Sequence, residues 1–202
     1  MAAALVVAGL RAAHGQDARL AERLDSTTRT AVEAAVDSAR LAGLPTEPLV
    51  LKALEGASKR APGPRIVSAV RSLARELGNA RAALGDASSA DELTAGAAAL
   101  HAGASAAELS ALRAAGPRRP LTVPLAVLAD LVARGVPADT ASSVIRSLTA
   151  HGTHDDGFLA LRAGVERDIV AGMAPAGAAS ARARAIVIAP PGAPVPVKPP
   201  DP

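Results

Sequence analysis

Residues 65–84 read RIVSAVRSLARELGNARAAL, and within them Ile66, Val70, Leu73, Leu77, Ala80 and Leu84 follow one another in steps of four and three. That spacing lays six apolar side chains along one stripe of a helix, the seam of a helix packed lengthwise against a partner. The same periodicity spreads outward in both directions. Upstream, Asp25 and Ser26 are candidate caps for a helix marked by Val32, Ala35, Val36 and Ala39 and ending near Gly43. Residues Thr46 to Ser58 follow with Val50, Ala53, Leu54 and Ala57 on one face, and Pro48 falls in the first turn, where its missing N–H costs nothing.

Downstream, two Ser-x-x-Glu capping boxes, Ser89 with Glu92 and Ser105 with Glu108, each precede an Ala and Leu run that stops at Gly103 or Gly116. Leu121, Leu125, Leu128 and Val132 define the most hydrophobic helix, closed by Gly135. Ala141, Val144, Ile145 and Leu148 define the next, closed by Gly152, and Phe158, Leu161, Val165 and Ile169 the one after. The junctions Gly43-Leu44-Pro45, Gly103-Ala104-Ser105 and Gly135-Val136-Pro137 share a glycine stop, one apolar residue and a helix starter. Their spacings, 60 and then 32 residues, are not one period, so they read as shared turn chemistry rather than a solenoid repeat. Connections this short make consecutive helices antiparallel neighbours. The expected fold is therefore all-α, an Ala-rich antiparallel helical bundle or a short stack of helical hairpins, with an extended Pro-rich C-terminal tail.

Three segments are expected. Residues 1–15 resemble a signal-peptide leader: Met1 to Leu10 are small or apolar, and Ala13 and Gly15 sit where a signal peptidase would read, with cleavage before Gln16. The positive leader that normally comes first is missing, as a start assigned too far downstream would explain. Residues 16–173 form the helical domain. Residues 174–202 hold a weakly structured Ala/Arg segment and a tail with seven prolines between Pro190 and Pro202, a polyproline-like spacer or disordered. Residues 181–189 alternate Ala with Arg and then cluster Ile186, Val187 and Ile188, a pattern that suits a strand or a frayed helix; without a second strand to pair with, they are expected to lie extended on the bundle or to order on binding.

Composition excludes more than it indicates. Of 202 residues 52 are Ala, against 48 Leu, Val, Ile, Met and Phe together, so the core is expected to be thin. One Phe and no Trp, Tyr or Cys remove base-stacking platforms, aromatic cages, disulfides and cysteine nucleophiles. Twenty-two Lys and Arg face 19 Asp and Glu, and the densest basic groups, Lys59, Arg60 and Arg65, or Arg118 and Arg119, are short and broken by proline, so they read as solvated loops. A run of ten apolar residues is too short to span a bilayer, which needs about 20, so an integral membrane protein is not expected.

Candidate chemistry is sparse. His151, His154, Asp155 and Asp156 lie within six residues and could ligate a divalent metal; the competing reading is a turn in which Asp155 or Asp156 caps the helix carrying Phe158. His14 and His101 stand alone, Lys52, Glu55 and Lys59 form a surface ion-pair ladder, and Asp91 with Glu92 or Glu166 with Asp168 read as helix solvation. Pro191 to Pro194 and Pro196 to Pro199 are formal P-x-x-P motifs. Phosphate-binding, nucleophile-elbow and common zinc motifs are missing. No catalytic, cofactor or metal residue is assigned. The expected protein is a non-enzymatic, exported, periplasmic or secreted module that binds an unknown protein or peptide, with homo-oligomers possible. A cytoplasmic Arg-rich nucleic-acid-binding accessory is the alternative, followed by a metal-dependent hydrolase using His151 and His154.

Overall fold

A computed structural model describes residues 17–188, which form ten helices and no strand. The leader-like residues 1–15 and the P-x-x-P motifs lie outside the described residues. The chain divides into two compact units, residues 1–71 and 72–202.

The first unit holds α1 (Ala18–Arg23), α2 (Ser26–Leu41), α3 (Glu47–Ser58) and the start of α4 (Gly63–Leu84). Asp25 caps α2, its carboxylate accepting the Thr28 N–H at 2.9 Å. Buried Leu20, Val32, Val36, Leu49, Val50 and Ala53 fill the space between the helices. Two glycines set their approach. A Cβ on Gly63 would lie 2.0 Å from the Thr28 hydroxyl, and one on Gly56 would lie 2.8 Å from Ile66.

The second unit takes the remainder of α4 and three helical hairpins: α5 (Ala90–Ala102) with α6 (Ala106–Ala115), α7 (Thr122–Ala133) with α8 (Ala138–Ala150), and α9 (Asp155–Val170) with α10 (Pro175–Ile188). Across hairpins α5 packs on α7 and α7 on α9, while α6 packs on α8 and α8 on α10, so the hairpins stack in two layers. The N-caps Ser89, Leu121 and His154 stand 32 and 33 residues apart. The 32-residue step between Gly103 and Gly135 is thus the hairpin period, and the lone 60-residue step hid it because it enters from the other unit. Helix α7 lies between α5 and α9 in its layer and contacts α8 in the other, which is why its buried residues Pro124, Leu125, Val127, Leu128 and Leu131 surround it on several sides. The seam of α4 is buried at Ile66, Val70, Leu77, Ala80 and Leu84, with Ala80 and Leu84 pressed against Gly96 of α5.

Six of the helix stops share one geometry. At Gly43, Arg60, Gly103, Gly135, Gly152 and Gly172 the backbone turns left-handed, and the next N–H returns to the carbonyl five residues back at 2.9–3.0 Å. This is the Schellman closure, which satisfies carbonyls a helix end leaves open and reverses the chain. Three of the six sites carry the glycine signature noted in the sequence; Arg60 adopts the conformation, φ 53°, with a side chain in place.

One sequence expectation is corrected, and one helix is added to those the sequence marked. Residues 181–188, expected to lie extended, continue helix α10 to Ile188. The reason is tertiary: Ala178, Ala179 and Ala183 are buried against α8 and α9, and the Arg182 fork binds both Asp168 oxygens at 2.6 Å while its stem crosses Gly164. That contact holds the Asp168 carboxyl below the usual carboxylate range. Helix α1, which no periodicity announced, is held at its N-terminus by Asp17, whose side chain accepts the Arg19 N–H.

The left-handed stops give a paired test. Gly135→Ala, whose Cβ would meet nothing closer than 3.8 Å, adds only backbone strain at φ 89° and should lose about 1 kcal/mol. Arg60→Gly relieves the same strain and should gain about 0.5 kcal/mol. Urea unfolding followed by far-UV circular dichroism reads both.

Candidate functional site

Several concavities open on the described residues, and three of them bear on function. The first lies in the first unit among α1, α2 and α3, with a volume of about 390 Å³, and draws its polarity from Asp17, Glu33, Asp37 and Glu47. Each of these carboxylates faces an arginine. Arg19 binds Asp17 and reaches Glu47 through two bonds of 2.9 Å, Arg40 pairs with Asp37, and Arg29 lies 3.9 Å from Glu33. Arg19 also holds the Asp17 and Glu47 carboxyls below their usual range. The charge there is spent internally.

The second, about 560 Å³, is built around Glu92 where α5 meets α6 and the α6–α7 loop. The capping box turns this carboxylate inward, leaving it 6% exposed. Oε2 accepts the Ser89 N–H at 3.0 Å, and Oε1 accepts Arg113 Nη2 at 2.7 Å and the Leu121 N–H at 2.8 Å. Burial pushes the carboxyl pKa up, but the bonds from Ser89, Arg113 and Leu121 together outweigh it, so the net direction is downward. Arg113 Nη1 also donates to the Arg119 carbonyl at 3.0 Å. Arg119 in turn donates to the Thr149 and Thr153 carbonyls, at 3.5 and 2.5 Å, and Gly116 leaves room for the Thr149 methyl. One relay therefore ties the first two hairpins to the turn that leads into the third.

This relay corrects two readings of the sequence. Glu92 is no solvated surface group, because the loop carrying Leu121 closes over it. Arg119 is no loose loop cation, because carbonyls from the α8 end and the α8–α9 turn claim its guanidinium; Arg118 beside it is exposed. The other sequence candidates also find places. Lys52 and Lys59 both bind Glu55, Lys52 at 2.9 Å, and together hold its pKa down at about 2. Glu166 pairs with Arg134 at 2.9 Å. His101, alone in sequence, lies 3.1 Å from Glu76 of α4.

The His151–Asp156 run is not gathered into a cluster. His151 Nδ1 lies 2.8 Å from the Ser147 carbonyl, while His154 is itself the N-cap of α9. Asp155 and Asp156 occupy the first turn, where they favour the helix dipole, so neither is the cap. The Schellman closure from Thr153 to Leu148 sets this register. Among the described residues no group of three or more His, Cys, Asp or Glu is placed to hold a metal ion, and no helix is long and apolar enough to cross a membrane.

The third concavity is an open groove of about 450 Å³ between α8 and α10. Helix α8 contributes Ser143, Val144 and Ser147, and α10 contributes Ser180, Ala183, Arg184, Val187 and Ile188. The groove exists because serine and alanine occupy positions where larger side chains would fill it. Val144 and Ala183 are buried, whereas Val187 is 43% and Ile188 79% exposed. Arg184 is the one charged residue in the lining, with Nε donating to the Ser180 carbonyl at 3.3 Å. No periodicity could have shown this groove, since half of its lining comes from the segment expected to be extended. The chain matches no protein-family model, no curated protein and no solved structure.

The relay around Glu92 is testable. Glu92→Ala strands the Arg113 guanidinium and two backbone N–H groups, and should cost about 3 kcal/mol in urea unfolding at neutral pH. Because the folded carboxyl pKa is depressed, its contribution is present above the unfolded-state pKa and is lost as pH falls through the folded one. The wild-type chain should therefore converge on the variant as the pH is lowered.

Proposed function

We propose that the chain is a non-enzymatic, exported binding module that holds a segment of a protein or peptide partner in the groove between α8 and α10. One observation carries the reading: this groove leaves aliphatic side chains exposed beside an arginine, whereas around the other two concavities the charges other than exposed Arg118 are engaged in holding helices together. Stacked helical hairpins present surfaces of this kind, built from the flanks of successive helices and open along their length. The shifted carboxyls Asp17, Glu47, Glu55, Glu92 and Asp168 all serve ion pairs between or along helices, so their shifts have a structural cause. Export rests on the apolar run Met1 to Leu10 with Ala13 and Gly15 behind it.

Each half of the proposal has a direct test. A photo-crosslinking amino acid in place of Ser147 should give one discrete adduct with a second protein in cells that make the chain, and that adduct should vanish when Val187→Asp is added. An adduct pattern no different from that of the same group at exposed Arg71 would end the binding reading. For export, mass spectrometry of material recovered outside the cytoplasm should find a chain beginning at Gln16; cytoplasmic protein retaining Met1 would end that half.

A further inference from the structure

We infer that the partner segment presents an apolar side chain next to a carboxylate, the apolar group against Val187 and Ile188 and the carboxylate on Arg184. The inference rests on the groove being the binding face and adds the chemistry of what it holds. Arg184 carries the only charge in the lining, and no ion pair engages it among the described residues. Its hydrogen bond to the Ser180 carbonyl uses Nε, leaving the two Nη groups, the face of a guanidinium that takes a carboxylate in paired bonds. Among the described residues no acidic side chain lines the groove to compete.

The apolar half follows from position. Arg184, Val187 and Ile188 fall at i, i+3 and i+4 on α10, so the guanidinium and the two exposed aliphatic side chains are neighbours on one face. The buried Val144 and Ala183 beneath them lower the local polarity, which strengthens a charge pair formed beside them. Ser143, Ser147 and Ser180 place hydroxyls along the walls, able to meet the backbone groups of an extended or helical segment. A basic segment would meet Arg184 with like charge, and a purely apolar one would bury that guanidinium unpaired.

Random peptides displayed on phage and panned on the full-length chain supply the test. Enriched peptides should combine Leu, Ile, Val or Phe with a nearby Asp or Glu, and synthetic copies should bind with a Kd that rises about tenfold in Arg184→Glu. Panning on Arg184→Glu should select Lys or Arg at the same place, and Arg184→Lys, which keeps the charge but not the paired bonds, should bind more weakly than the original and more tightly than Arg184→Glu. Circular dichroism checks that each variant stays folded, as expected for exposed positions. Peptides that are lost with Val187→Asp but indifferent to Arg184→Glu would overturn the carboxylate while leaving the groove as the binding face. Peptides indifferent to both, or a full-length chain that selects none because a second copy or residues 189–202 fill the groove, would overturn both.

Discussion

Everything in the described chain depends on how its helices end. An α-helix leaves four carbonyls without partners at its C-terminus, and a chain this poor in large apolar residues has little else to fix where the next helix goes. The left-handed residue at Gly43, Arg60, Gly103, Gly135, Gly152 and Gly172, with the N–H after it returned to the carbonyl five residues earlier, both satisfies those carbonyls and turns the chain back. In the second unit one such reversal precedes the α6–α7 connection and three follow it, and two layers of helices result. The α8–α10 groove is a product of that layering, because α8 and α10 become neighbours only when whole hairpins stack.

Small side chains shape the rest. Alanine buries little area, so each contact contributes little at about 25 cal/mol per Å². What it permits is close approach: Gly96 against Ala80 and Leu84, Gly116 against Thr149, and Gly164 under the Arg182 stem. Packing of small residues specifies position poorly, and the structure supplements it with directional polar ties. Glu92, Arg113 and Arg119 tie the first two hairpins to the α8–α9 turn, and Asp168 with Arg182 locks the last pair. These ties consume most of the buried charge, which is why the shifted carboxyls mark architecture and an exposed arginine marks the candidate interface.

Local signals were readable wherever they act within a few residues. Both capping boxes form with side chain and backbone reciprocated, Ser89 with Glu92 and Ser105 with Glu108, and the α4 seam is buried at five of its six positions. Helix α10 escaped the same reading because alternation of Ala with Arg suits a strand as well as a helix until Ala178, Ala179 and Ala183 meet α8 and α9. Glu92 was legible as a cap and illegible as a buried ion pair, since Arg113 is 21 residues away and Leu121 is 29. His101 and Glu76, separated by 25 residues, were hidden for the same reason.

By itself the sequence determined the helical class, most helix positions and the chemistry of the stops, because propensity, capping and left-handed glycine all operate within one turn of backbone. Only the tertiary structure decided the hairpin period, the burial of Glu92, the engagement of Arg119 and the groove between α8 and α10. Those depend on side chains brought together from distant parts of the chain, and no pattern confined to neighbouring residues encodes which helix flank will face which.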